Sequence, residues 1–215
     1  MHGSLRRRQQ RDRIILPATR IRGGAPVGCP VGFSTATNTE YVDSSGHLVI
    51  QAYNPNFGNP GVGTWYSARI KSELIQNFQY GRIESSMELP NTTNQGLWPS
   101  FRSLGTSIDT GVPFPACGEA DFMEVWSPQV SSGPGGNRST IHTALTASPG
   151  IGGAFNFPSG QANDTNFRAY GAIWSFGMMQ FYVDTPAQPF LILTTSDLSS
   201  SDTWPSMPNF FFSRI

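Results

Sequence analysis

Three carboxylates stand close together in one apolar stretch, Glu119-Ala120-Asp121-Phe122-Met123-Glu124. Side chains alternate along a strand with period two, so Glu119 and Asp121 share a face and Glu124 falls on the opposite one. A β-bulge at Met123, or at its neighbour Phe122, returns Glu124 to the face of the other two, because one extra residue resets the alternation. Like charges on one face raise one another's proton affinity, which is costly unless the chemistry uses it. Retaining glycoside cleavage does: it needs an ionised carboxylate as nucleophile and a protonated carboxyl as acid, about 5 to 5.5 Å apart. Asp121, between the two glutamates, would hydrogen-bond the nucleophile and help hold them at different protonation states. The same residues would also suit the solvated face of an antiparallel sheet, so the pattern alone leaves both readings open.

A carboxylate pair of this kind needs a rigid support. The chain has 215 residues, room for one substantial core, with 23 Gly, 17 Pro and only 13% charged residues, a composition of many short strands and tight turns. Strand-like runs recur at 46–53, 64–72, 78–89, 119–126, 138–145, 166–175, 178–184 and 189–195, with no sustained helical period. In the third run Ile83, Ser85, Met87 and Leu89 share one face and Glu84, Ser86 and Glu88 the other, which predicts a sheet with one buried side. Such segments without intervening helices predict an all-β fold, a two-sheet β-sandwich of jelly-roll, concanavalin-like type with a concave substrate cleft. The run 127–137 directly after the acidic strand is the clearest candidate for a loop walling that cleft.

The formal net charge of zero hides an asymmetry. Seven of the 14 basic residues (Arg6, Arg7, Arg8, Arg11, Arg13, Arg20 and Arg22) lie in the first 22 positions, and the remainder carries 7 basic against 13 acidic groups, a net of −6. That body repels a phosphate backbone, so no nucleic-acid partner is expected. Residues 1–28 are expected to be an Arg-rich disordered leader without a signal peptide, and residues 29–215 the folded domain. No run is long and apolar enough for a membrane span. A single Lys and three sequons, at Asn91, Asn137 and Asn163, have an extracellular flavour. The pairing of Cys29 with Cys117 is left open by their positions. No metal-ligand spacing and no phosphate-binding glycine loop is present, so no catalytic metal or required cofactor is expected.

The flanking residues decide between the two readings of the acidic strand. Trp65-Tyr66-Ser67-Ala68-Arg69-Ile70, Tyr80-Gly81-Arg82-Ile83-Glu84, Gly96-Leu97-Trp98-Pro99-Ser100-Phe101, Cys117-Gly118-Glu119-Ala120-Asp121-Phe122-Met123-Glu124, Ser139-Thr140-Ile141-His142 and Gln180-Phe181-Tyr182-Val183-Asp184 follow in order. Together they resemble glycoside hydrolase family 16, in its laminarinase-like branch, over roughly residues 40–212. The resemblance implies an endo-acting glycoside hydrolase of β-1,3- or mixed β-1,3/1,4-glucan, secreted and monomeric. It makes Glu119 the nucleophile, Glu124 the acid/base, Asp121 the assisting carboxylate, and His142, Trp98 and Trp126 substrate-binding residues. A structural Ca²⁺ occurs in the family, but nothing in this sequence supports one. Two alternatives share the scaffold: a glucan-binding sandwich without activity, and a transglycosylase.

Three departures from the family pattern stand out. Arg102 occupies the place of a second cleft tryptophan, Glu84-Ser85-Ser86 replaces Glu-Ala-Arg, and the family pattern continues beyond Ile215, so the domain is expected to lack its final strand.

Overall fold

The computed structural model describes residues 31–33, 39–51, 65–73, 77–90, 98–125, 136–146, 150–157, 166–198 and 210–214. The leader 1–28, Cys29, Asn91, Trp126, the loop after it as far as 135, and Asn163 lie outside the described residues.

The strands in chain order are β1 (Val31–Phe33), β2 (Glu40–Val42), β3 (Leu48–Ile50), β4 (Trp65–Ser67), β5 (Ile70–Lys71), β6 (Gly81–Met87) and β7 (Ser100–Gly105). They continue as β8 (Glu119–Glu124), β9 (Gly136–His142), β10 (Ile151–Asn156), β11 (Arg168–Ser175), β12 (Met178–Val183), β13 (Leu191–Thr194) and β14 (Phe210–Arg214). Among the described residues the helices are two short 3-10 turns, Thr106–Thr110 and Thr195–Asp197. No helix there is long and apolar enough to cross a membrane.

Two large sheets carry the fold. One has the order β10-β9-β8-β7-β14-β5 and the other β13-β12-β11-β6, and the chain passes from one to the other after β5, β6, β10 and β13. That alternation is the jelly-roll connectivity expected from the sequence. Both sheets are antiparallel throughout, and each turns an apolar face into a common core. Phe101, Ala120, Phe122 and Ile141 come from the larger sheet, and Ile83, Met87, Tyr170, Ala172, Trp174, Phe181 and Leu193 from the smaller. The Phe122 and Phe181 rings face each other across the layers with centroids 6.5 Å apart. Burying each such ring removes apolar surface from water, worth roughly 2 kcal/mol per side chain.

β6 behaves as its alternation predicts: Ile83, Met87 and Leu89 are buried while Glu84, Ser86 and Glu88 are exposed. Every run proposed from the sequence contains a strand. The structure adds β7 and β10, which lack an apolar/polar alternation, as Ser100-Phe101-Arg102-Ser103-Leu104-Gly105 and Ile151-Gly152-Gly153-Ala154-Phe155-Asn156 show. It also adds β1, β2 and β14, the last running between β7 and β5.

Candidate active site

β8 lies between β7 and β9, so its backbone is fixed from both sides. Ala120 and Phe122 point into the core, and so does Met123, the very next residue. Two consecutive inward side chains are the mark of a bulge. The register shows it: Asp121 stands opposite Thr140 but Glu124 opposite Arg138, three residues against two. On the β7 side Met123 pairs with Phe101 and Asp121 with Arg102, leaving Phe122 without an opposite residue. The bulge therefore falls at Phe122–Met123, and the consequence is the expected one, with Glu119, Asp121 and Glu124 on the face away from the core.

A bulge takes backbone groups out of the ladder, and buried groups of that kind need other partners. β9 supplies them. The Asn137 side-chain oxygen accepts the Glu124 N–H at 3.2 Å, its amide nitrogen donates to Ser139 Oγ at 3.5 Å, and Ser139 Oγ donates to the Phe122 carbonyl at 2.9 Å. Both Asn137 and Ser139 are fully buried, so this sequon is committed to the fold and offers no glycosylation site in the native state. Asn137 and Ser139 together clamp the bulge. Asn137→Ala is expected to leave the Glu124 N–H unsatisfied and to cost about 1–3 kcal/mol. Thermal melting against the wild type reads that loss.

The carboxylates have unlike surroundings. Glu119 is 4% exposed and accepts from Arg102 Nη1 at 2.6 Å. Asp121 is 1% exposed; its Oδ2 lies 3.3 Å from His142 Nε2, and its Oδ1 has no hydrogen-bond partner. Glu124 is half-buried, and Trp98 Nε1 donates to its Oε1 at 3.1 Å. Burial first, and then the charge of Asp121, push the Glu119 carboxyl up to about 7 against the pull of Arg102 and His142. The same two causes push Glu124 up to about 8, with the weaker opposition of the Trp98 hydrogen bond and of Arg102. One oxygen each of Glu119 and Asp121 and a ring nitrogen of His142 gather within 4.8 Å of one another. Arg102, beside this group, forms an ion pair with Glu119.

Of the six site residues expected from the sequence, five lie together. Glu119, Asp121 and Glu124 come from β8, His142 from the register position opposite Glu119, and Trp98 from the segment leading into β7. Trp98 is 61% exposed beside Glu124. Three other residues complete the surroundings. Arg102 has become an ion-pair partner of Glu119. Arg69 lies close enough that burial and the charge of Arg102 pull its pKa down while Glu119 opposes. Phe114 sets its ring against His142 with centroids 5.9 Å apart and is 47% exposed. An aromatic between two prolines, just ahead of the acidic strand, was the available signal for that last residue.

The family model for glycosyl hydrolases family 16 matches residues 31–212. Among solved structures, the catalytic domain of an endo-1,3-β-glucanase (laminarinase) from Thermotoga petrophila RKU-1 superimposes with a TM-score of 0.70 at 26% identity, covering 87% of this chain and 71% of that one. An endo-β-1,3-glucanase from Pyrococcus furiosus gives 0.70 at 27% identity, over 87% of this chain and 69% of that one. The clotting factor G alpha subunit of Tachypleus tridentatus is 26% identical over 139 residues, 65% of this chain and 19% of its own length. The chain thus spans about a fifth of that relative.

Proposed function

Because the chain belongs to the glycosyl hydrolases of family 16, we propose that it is a retaining endo-hydrolase of β-1,3- or mixed β-1,3/1,4-glucan. One observation carries this reading: a single bulged strand presents two glutamates on one face, Glu119 accepting from an arginine and Glu124 from an indole, both with raised proton affinities. Its structural likeness to two endo-1,3-β-glucanases supports the choice of substrate.

The chemistry runs in two displacements. A Glu119 oxygen attacks the anomeric carbon while the glycosidic bond breaks and Glu124 gives its proton to the departing sugar oxygen. Water then adds to the same carbon, its proton passes to Glu124, and the bond to Glu119 breaks, regenerating the carboxylate. Asp121 stands between the two groups, and Trp98 offers an aromatic face on which a sugar ring can stack. A polymeric substrate of this kind also fits an extracellular site of action.

Proton NMR of laminarin digests at early times tests the reading. The first product is expected to carry the β configuration at its new reducing end, with α appearing only by mutarotation; α product from the outset would sink it. Laminarin that retards the protein in an affinity gel without release of reducing ends selects the glucan-binding alternative.

A further inference from the structure

Glu119 and Glu124 are chemically identical and project from the same face of one strand, Glu119 buried and Glu124 half-buried. A double displacement nevertheless requires them to differ by one proton, in one sense only. They also differ in the donor each meets. Glu119 receives the guanidinium of Arg102 at 2.6 Å, a permanently charged group, and Glu124 receives the neutral indole N–H of Trp98 at 3.1 Å.

We propose that Arg102 is the positioning residue that assigns the proton, holding Glu119 as the carboxylate so that Glu124 is the glutamate that stays protonated. This rests on the retaining-hydrolase reading and deepens it. β7 delivers the side chain: Arg102 pairs with Asp121 across the β7–β8 register and reaches along β8 to Glu119. It occupies the position at which the family motif has a tryptophan, so the charge is a feature of this chain and not of the motif.

The other charged and titratable groups around Glu119 do not do this job alone. Asp121, on the same strand, raises both glutamates, and the charge of Arg102 lowers both, but Arg102 adds its charged hydrogen bond at Glu119, where Glu124 instead meets the indole of Trp98. The charges of His142 from β9 and of Arg69 from the segment between β4 and β5 also bear on Glu119, and Arg102 adds to its own charge a hydrogen bond of 2.6 Å. Cys117, two residues ahead, has its thiol pushed up by burial and then by Glu119, and adds no charge of its own. Among the attractive influences on Glu119, Arg102 is the largest.

The test follows the carboxyl carbons of ¹³C-glutamate-labelled protein by NMR through a pH titration, with Glu119→Gln assigning the Glu119 signal. In Arg102→Met that signal is expected to titrate at a pH higher by about 1, a tenfold change in proton affinity. Arg102→Lys is expected to restore most of the difference. The acidic limb of kcat/KM on laminarin should move upward in step in Arg102→Met and return in Arg102→Lys, a pattern that loss of packing alone does not produce. Arg102→Gln replaces Met if that variant does not fold. An unmoved Glu119 transition in a wild type that hydrolyses laminarin overturns the inference alone. A moved transition in a protein that never hydrolyses laminarin overturns the hydrolase reading instead.

Discussion

Replacing Glu119 by Gln is expected to lower kcat/KM on laminarin by about 10⁴-fold or more, to the limit of a reducing-end assay. The substitution keeps the shape and removes the attacking oxygen's charge, so the covalent route closes while the cleft remains. Binding of laminari-oligosaccharide, read by thermal melting with and without ligand, should survive it. The variant also bears on stability. The folded-state pKa of Glu119 is raised to about 7 from 4.5, so the folded chain holds its proton more tightly than the unfolded one. Stability associated with that proton is fully present below pH 4.5 and is lost as pH rises through about 7. Gln does not titrate, so the wild type is expected to lose melting temperature relative to the variant as pH rises across that window. Arg102 moderates the gain, because its partly buried guanidinium loses the anion it faces. Activity persisting in Glu119→Gln would remove Glu119 from the reaction.

The sequence was most legible where a physical period leaves a trace. Alternation identified β6 and its buried face, and the mismatch of three carboxylates with that same alternation located the bulge between Phe122 and Met123. Period says nothing, however, about which residue of a neighbouring strand lies opposite. Asn137 carried the pattern of a sequon, yet its side-chain oxygen accepts the backbone N–H of Glu124 on β8, thirteen residues earlier in the chain and adjacent only once the sheet forms. Arg102 looked like the loss of an aromatic subsite, and across the β7–β8 register it becomes the counter-ion of Glu119. β10 escaped for a different reason. Its two glycines interrupt any alternation, but where β10 crosses β9 a Cβ on Gly152 would stand 2.3 Å from the Ser139 carbonyl oxygen. The composition that hides the strand is thus what permits its close approach to β9.

Replacing Glu124 by Gln is expected to give the second large effect, and one that depends on the substrate. Loss of a general acid costs about 10²–10⁴-fold when the departing group needs a proton, as a glucan hydroxyl does. An aryl β-laminaribioside whose phenol leaves as a stable anion needs little help, so its first displacement should fall far less than laminarin hydrolysis. The second displacement still needs Glu124 to take a proton from water, so the covalent species accumulates and a burst of phenol precedes a slow steady rate. The pH profile supplies an independent sign. The proposed double displacement needs Glu119 ionised and Glu124 protonated, so kcat/KM should rise as pH passes about 7 and fall as it passes about 8. In Glu124→Gln the upper limb has no titrating group behind it and should disappear for the aryl substrate, while the lower limb, which belongs to Glu119, remains. An upper limb that persists unchanged in this variant assigns the proton to some other residue and removes Glu124 from the role of acid.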